Sequence, residues 1–283
     1  MAGFFGLFNF EKPGKGVEKN EAPKVGLELF FQTYKRKFWK LMQAGFLYLA
    51  CFTPLAFILV ETMGYPPFLK YPIVFLFLLP LGPATAGFVF ILRCYQREEP
   101  VFLLSDFFGV AKRNMRQSII IFIINGIVGY LLLNAYYYYD TLELNFFLYL
   151  VINFITIIGA GVFIFMNFYI YTLMITFKLK ITQLYRNALL FTFIGLWRNL
   201  IVALIMGIVI FFSFNFGILG YIIFGVIFLS MLGFIMMSMT YPVIKRVMLD
   251  PMKESNDDKT TQDQLNIFND EVIKKNKKGK NDN

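Results

Sequence analysis

The stretch Tyr71–Leu92, YPIVFLFLLPLGPATAGFVFIL, carries no charged residue from end to end. A helix needs about 20 apolar residues to cross the hydrocarbon core of a bilayer, so this stretch predicts a membrane span. Its middle is unusual, because Leu79–Phe88 contains two prolines and two glycines. Proline removes a backbone donor and disturbs the interior of a helix. The stretch therefore predicts either a helix that packs closely against a neighbour or a broken helix that forms a site.

Composition extends the membrane prediction to the rest of the chain. Hydrophobic residues make up 58% of the 283 residues and charged residues only 16%. Soluble domains have about 45–50% apolar and about 25% charged residues. Long apolar runs recur along the sequence, which is typical of multi-span helical membrane proteins. We predict an all-α bundle of six transmembrane helices, at about 41–60, 71–92, 118–138, 146–174, 199–219 and 221–243.

The chain divides by composition into three parts. The six-span membrane domain is assigned to residues 25–249, after an N-terminal segment at 1–24 and before a polar tail at 250–283. The tail is expected to be disordered, because it is rich in charge and poor in apolar residues. The chain start lacks the basic region of a cleavable signal, so we expect the first span to act as its own insertion signal.

The basic residues predict the orientation in the membrane. All but Lys70 of the 27 lysines and arginines lie within residues 1–40, in the loops 93–117 and 178–198, or from Lys245 onward. Lysine and arginine are enriched in cytoplasmic loops, so both termini are expected in the cytoplasm. This basic rim would face anionic lipid headgroups. No aromatic–basic module of a nucleic-acid-binding type is present, and we expect no nucleic-acid partner.

Three amphipathic stretches, LELFFQTYKRKFWK, LLSDFFGVAKRNMRQ and YRNALLFTFIGLWRN, each precede a pair of predicted spans. The separation of phenylalanine and arginine is the same in Phe31–Arg36, Phe108–Arg113 and Phe193–Arg198. We interpret this as three helical hairpins, each with a cytoplasmic amphipathic helix in the headgroup layer. The alternative is a chance recurrence of phenylalanine and basic residues where helices meet lipid.

The second stretch supplies a candidate surface motif. Ser105 and Asp106 predict a helix start with a capping hydroxyl and a first-turn acid. The motif comprises Ser105, Asp106, Phe107, Phe108, Lys112 and Arg113.

Together these elements resemble a known family. GPATAGFVFILR is followed by EEPVFLLSDFFGVAKRNMRQSI and, after a long span, by ITFKLKITQLYRNALL. This order resembles the YesL-like family of bacterial membrane proteins, a domain of unknown function, over about residues 27–245. The resemblance implies a protein of the bacterial cytoplasmic membrane, often encoded beside sugar-uptake transporters and polysaccharide-degrading enzymes. It implies no catalytic residue, because the family has no established mechanism.

The second predicted span holds the candidate structural motif. If the helix were broken there, the backbone N–H and C=O groups without partners in the helix would bind a solute. Its small residues would instead let a neighbour approach if the helix were only kinked, and we favour this interpretation. The motif comprises Pro80, Gly82, Pro83, Thr85 and Gly87.

Ionisable residues are missing from the predicted span cores. Such residues usually mark proton relays and ion pathways, so their absence argues against a proton-coupled carrier. The chain also has no histidine, which removes the commonest general base and transition-metal ligand. Span asparagines such as Asn125 and Asn167 are interpreted as contacts between helices rather than as a sugar site.

These observations lead to a functional hypothesis. We expect a non-enzymatic accessory component linked to carbohydrate uptake or sensing, where the carbohydrate link rests on the resemblance alone. A solute transporter or permease built from three helical hairpins is the alternative. We expect no catalytic residue, cofactor or metal. The expected partners are the lipid bilayer and a sugar transporter subunit, and the oligomeric state stays open.

Overall fold

The structure is a computed structural model that describes residues 27–54, 58, 61–62, 64–142, 145–215 and 229–251. The regular structure of these residues is helical, without a β-strand. The predicted segment at 1–24 and nearly all of the tail at 250–283 lie outside the described residues. The helices are α1 Leu27–Ala50, α2 Pro67–Leu78, α3 Leu81–Gln96, α4 Leu103–Arg113, α5 Met115–Asp140, α6 Phe146–Thr176, α7 Ile181–Ile194, α8 Leu196–Asn215 and α9 Leu229–Ile244, followed by a π-helical turn at Lys245–Leu249.

Within the described part of the chain, four helical stretches are long and apolar enough to cross a membrane: Ile73–Gln96, Met115–Tyr139, Phe146–Thr176 and Leu229–Leu249. A fifth is added if α7 and α8, which meet at an angle of 87°, are counted together as one span. The structure thus confirms, for the residues it describes, an all-helical fold with several candidate spans. The number six stays a prediction, because parts of the predicted spans 41–60, 199–219 and 221–243 lie outside the described residues.

Helix α3 lies at the centre of the bundle. It packs against α1, α4, α5, α6 and α9, and most of its residues are buried. In contrast, α5 and α6 expose many large apolar side chains, including Leu131, Phe147 and Phe154. Exposed apolar surface on this scale fits contact with lipid rather than with water. The protein core is therefore built around α3, with α5 and α6 at its periphery.

The same arrangement occurs twice along the chain. In each case a long helix is followed by a short helix that packs back on it and then by another long helix. The first junction is α3–α4–α5, with Asn114 between the last two helices, and the second is α6–α7–α8, with Gly195 in that place. The first predicted amphipathic stretch differs, because α1 continues through it without a break to Ala50.

The short helices and the helix ends beside them form one end of the bundle, which we call the basic end. The hydrogen bonds that connect its elements include those of Lys37 to the carbonyl of Tyr95, Arg93 to that of Ile175, and Gln117 to that of Leu179. The basic residues at this end include Arg36, Lys37, Arg93, Arg97, Lys112, Arg113, Arg116, Lys178, Lys180, Arg186, Arg198, Lys245 and Arg246.

Candidate functional site

The two glycines of the structural motif are positions of close backbone contact. A Cβ atom built on Gly82 would lie 2.7 Å from the carbonyl oxygen of Ser118 on α5. A Cβ atom on Gly87 would lie 2.6 Å from the carbonyl oxygen of Phe107 on α4. Both distances are too short for any side chain, so only glycine allows these helices to approach. The contact of Gly87 with Phe107 also brings the structural motif and the surface motif together.

The prolines of the motif do not leave free carbonyl groups. In a regular helix, the N–H groups of residues 80 and 83 would donate to the carbonyls of Leu76 and Leu79. Proline has no N–H group. The N–H of Leu79 donates instead to Leu76 (3.3 Å), and the N–H of Gly82 donates to Leu79 (3.2 Å). The span therefore contains a tight turn between α2 and α3, where Pro80 is exposed and Pro83 buried, and these two carbonyls already have donors.

Thr85 connects the motif to α1. Its hydroxyl donates to the carbonyl of Leu81 (2.7 Å), so the hydroxyl of Tyr48, 2.8 Å from Thr85 Oγ1, is the donor in that pair. The Tyr48 ring also stacks on Phe88, with 4.7 Å between ring centroids. These contacts are consistent with the interpretation of the motif as a packing surface.

The surface motif divides into buried and exposed residues. Phe107 is buried against α3, whereas Phe108, Lys112 and Arg113 are exposed on the other side of α4. Ser105 is also exposed and lies inside the helix rather than at its cap.

The capping role predicted for Ser105 is wrong, and that of Asp106 as a first-turn acid is confirmed. Helix α4 begins at Leu103 with Phe102 as its N-cap residue. The Asp106 carboxylate accepts a hydrogen bond from the N–H of Phe102 (2.8 Å). A first-turn acid that satisfies the N-cap donor stabilises a helix start in the same way as the acid of a capping box. The helix therefore starts earlier than the Ser105 hydroxyl would place it.

Polar side chains meet between the two junctions. Asn125 on α5 donates to Asn167 on α6 (2.6 Å), and Tyr185 on α7 donates to Asn125 (2.7 Å). The Asn167 amide in turn donates to the carbonyl of Phe163 (2.9 Å). The side chains satisfy one another, which is consistent with a role as contacts between helices. Tyr185 was not a candidate from the sequence, because nothing near it in the chain indicates that it faces Asn125.

Arg93 is a second residue whose role the sequence does not indicate. It is buried, and its guanidinium donates to the carbonyl of Ile175 (3.2 Å) and to the hydroxyl of Thr176 (2.9 Å). These groups end α6, where the helix dipole favours a positive charge. The guanidinium also lies 5.1 Å from the centre of the Phe90 ring. The only sequence signal is its position directly after an apolar run.

Lys37 links α1 to the end of α3. Its ammonium donates to the carbonyl of Tyr95 (3.2 Å) and lies 5.2 Å from the centre of the Tyr95 ring. Burial lowers the pKa of Lys37, and the nearby Glu98 carboxylate opposes this change. Glu98 also pairs with Arg36. Among the described residues, no group of three histidine, cysteine, aspartate or glutamate side chains is placed to hold a metal ion.

Comparison with known proteins places the two motifs within one family match. A family model described as a protein of unknown function, DUF624, matches residues 53–136. DUF624 is the family usually called YesL-like, and the match contains the structural motif and the surface motif. It ends before α6, so it does not reach the second junction. No curated protein and no solved structure matches the chain.

Proposed function

We propose that this chain is a multi-pass protein of the bacterial cytoplasmic membrane, with six spans and both termini in the cytoplasm. It acts as a non-enzymatic accessory component linked to carbohydrate uptake or sensing. The link to carbohydrate comes from the YesL-like resemblance. The observation that supports an accessory role most directly is the contact of Gly87 with Phe107, which holds α4 against α3 and leaves the other side of α4 outward.

The closed structure of the motif favours a surface role over an internal site. Backbone atoms of Ser118 and Phe107 occupy the space beside Gly82 and Gly87. The two carbonyls that the prolines would free already accept hydrogen bonds. A solute at this level would have to displace helix backbone, which is rigid and closely packed.

The exposed aromatic residues of the amphipathic stretches support a binding surface at the basic end. Phe31, Phe108 and Phe193 hold equivalent places in the sequence repeat, and they are 57%, 54% and 59% exposed. An aromatic side chain next to basic residues suits both the headgroup layer and a membrane-protein partner. We propose a sugar transporter subunit as that partner.

Site-specific photo-crosslinking tests the accessory role. A photoreactive phenylalanine analogue at position 108 should give an adduct with a transporter subunit in native membranes. The matched control is the same analogue at Phe154, which is exposed on α6 away from the basic end. Adducts of the same partners in equal yield at both positions would contradict a specific surface on α4.

The alternative function, a solute transporter, is favoured by the polar cluster of Asn125, Asn167 and Tyr185. Its test is the flux of labelled oligosaccharides through liposomes that contain only the purified protein. An accessory protein should give no flux. Flux that is lost in Asn167→Leu with normal protein recovery would replace our proposal with the transporter.

A further inference from the structure

We propose that the bend between α7 and α8 binds one anionic phospholipid. Its phosphate lies between Arg198 and Arg246, and an acyl chain lies along α8. This site goes beyond the proposed function, because it uses neither motif and assigns a lipid ligand to Arg198 and Arg246. Three features of the described residues support it: a basic cavity, a rigid bend and an apolar groove on the same helix.

The basic cavity has a volume of about 330 Å³ and opens at the bend. Arg198 reaches it from the first turn of α8, and Arg246 reaches it from the π-helical turn after α9. The rest of its wall is Trp197, Gly195 and aliphatic side chains, so no carboxylate lines it. Neither arginine pairs with a carboxylate among the described residues. Two guanidinium groups without acidic partners are suited to bidentate binding of a phosphate.

The bend that forms this cavity is held by a buried hydrogen-bond network. The Tyr169 hydroxyl donates to the side-chain oxygen of Asn199 (2.8 Å), whose amide donates to the carbonyl of Thr192 (3.1 Å). All three residues are almost fully buried. A Cβ atom at Gly195 would overlap the Tyr169 hydroxyl, so glycine is required for this geometry. The cavity is therefore formed before any ligand binds, which lowers the entropy cost of binding.

An apolar groove of about 350 Å³ lies farther along the same helix. Leu204, Gly207 and Phe211 are among its lining residues, and Gly207 has open space where a Cβ atom would be. Trp197, Leu204 and Phe211 are spaced by seven residues and so lie on one side of α8. Gly207 lies about 15 Å along the helix from Trp197, at about 1.5 Å per residue.

The distance between Trp197 and Gly207 along α8 matches the length of a lipid acyl chain within one leaflet. The hydrocarbon of one leaflet is about 15 Å thick, half of the bilayer core. Trp197 is 80% exposed beside the arginines, as is typical of tryptophan at the headgroup boundary. The cavity would thus hold a headgroup while the groove holds an acyl chain of the same molecule. An anionic lipid fits better than a zwitterionic one, because the cavity supplies positive charge alone.

Quenching of Trp197 fluorescence by brominated lipid tests the proposal. The chain has two tryptophans, so Trp39→Phe in the full-length protein leaves Trp197 as the sole tryptophan. In detergent micelles, brominated phosphatidylglycerol should quench Trp197 at a lower lipid-to-protein ratio than brominated phosphatidylcholine does. Arg198→Gln and Arg246→Gln should each weaken binding of phosphatidylglycerol about tenfold, the usual effect of losing a charge-assisted hydrogen bond. The matched control is Arg116→Gln, an exposed arginine outside the cavity, which should leave binding unchanged.

Two further measurements distinguish a bound lipid from a bound soluble phosphate. Gly207→Leu should fill the groove and weaken lipid binding, and millimolar inorganic phosphate should not displace the brominated lipid. Displacement by phosphate together with normal binding by Gly207→Leu would overturn the lipid assignment. Equal quenching by the two lipids, or equal effects of Arg198→Gln, Arg246→Gln and Arg116→Gln, would overturn the site. The melting temperature of each variant, measured without added lipid, shows whether it is folded.

Discussion

The α3–α4–α5 and α6–α7–α8 junctions follow one plan but are held together by different forces. In the first, Gly82 and Gly87 bring backbone against backbone. In the second, Tyr169 and Asn199 bridge the helices by buried hydrogen bonds, and α7 and α8 meet at 87°. Close packing fills the space between helices, whereas a hydrogen-bonded bend leaves a cavity beside it. The second junction is therefore the better place for a small ligand.

The largest expected effect is at the glycine contact of the first junction. Gly87→Ala places a methyl group against the Phe107 carbonyl, and the helices must separate, at a cost of about 3 kcal/mol. Protein abundance in the membrane and the melting temperature should both fall. Gly129→Ala on α5 is the control, because no atom lies within 4 Å of its Cβ position. Loss of activity with unchanged abundance would instead indicate a ligand site at the motif.

The second junction should depend on the Tyr169 hydroxyl. Tyr169→Phe leaves the buried side-chain oxygen of Asn199 without this donor, at a cost of about 2 kcal/mol. Because Gly195 is crowded by the same hydroxyl, Gly195→Ala should be less harmful in the Tyr169→Phe background. A double-mutant cycle of thermal stability measures this coupling. Strictly additive effects would show that the hydroxyl does not shape the bend.

The two short helices, α4 and α7, should lose similar stability when the side chain that binds the N-cap N–H group is removed. The N-cap N–H of α4 donates to Asp106, and that of α7, from Lys180, donates to Gln183 (3.0 Å). Asp106→Ala and Gln183→Ala should each cost about 1 kcal/mol in thermal stability. Ser105→Ala should change stability by less than about 0.5 kcal/mol, because Ser105 is exposed and caps nothing. A larger effect at Ser105 than at Asp106 would contradict the helix start seen here.

The smallest expected effect per hydrogen bond is at the contact between the junctions. Asn125→Leu removes hydrogen bonds to Asn167 and Tyr185, and bonds of this kind contribute about 0.6 kcal/mol each in membrane proteins. The measurement is again the melting temperature, with Asn134→Leu as the control, because the Asn134 amide donates to the carbonyl of Tyr130 in the same helix. A loss as large as that of Gly87→Ala would make this polar cluster the main support of the bundle.

The sequence predicted those features of the fold that depend on residues close together in the chain. Apolar runs indicated helices, and the small residues of the GPATAG stretch indicated a packing surface that the structure contains. The sequence did not predict which polar residues meet, because Tyr169 and Asn199, or Asn125 and Tyr185, come together only through tertiary packing. The error at Ser105 has a related cause. Several residues can satisfy the first donors of a helix, and the rest of the fold decides which of them does.

Arg93 also ties together two segments that are far apart along the chain. Its buried guanidinium donates to groups at Ile175 and Thr176, which end α6. If α6 ended before Ile175, this charge would lose these acceptors, and a buried charge without partners is costly. The packing of α3 therefore depends on the position at which α6 ends.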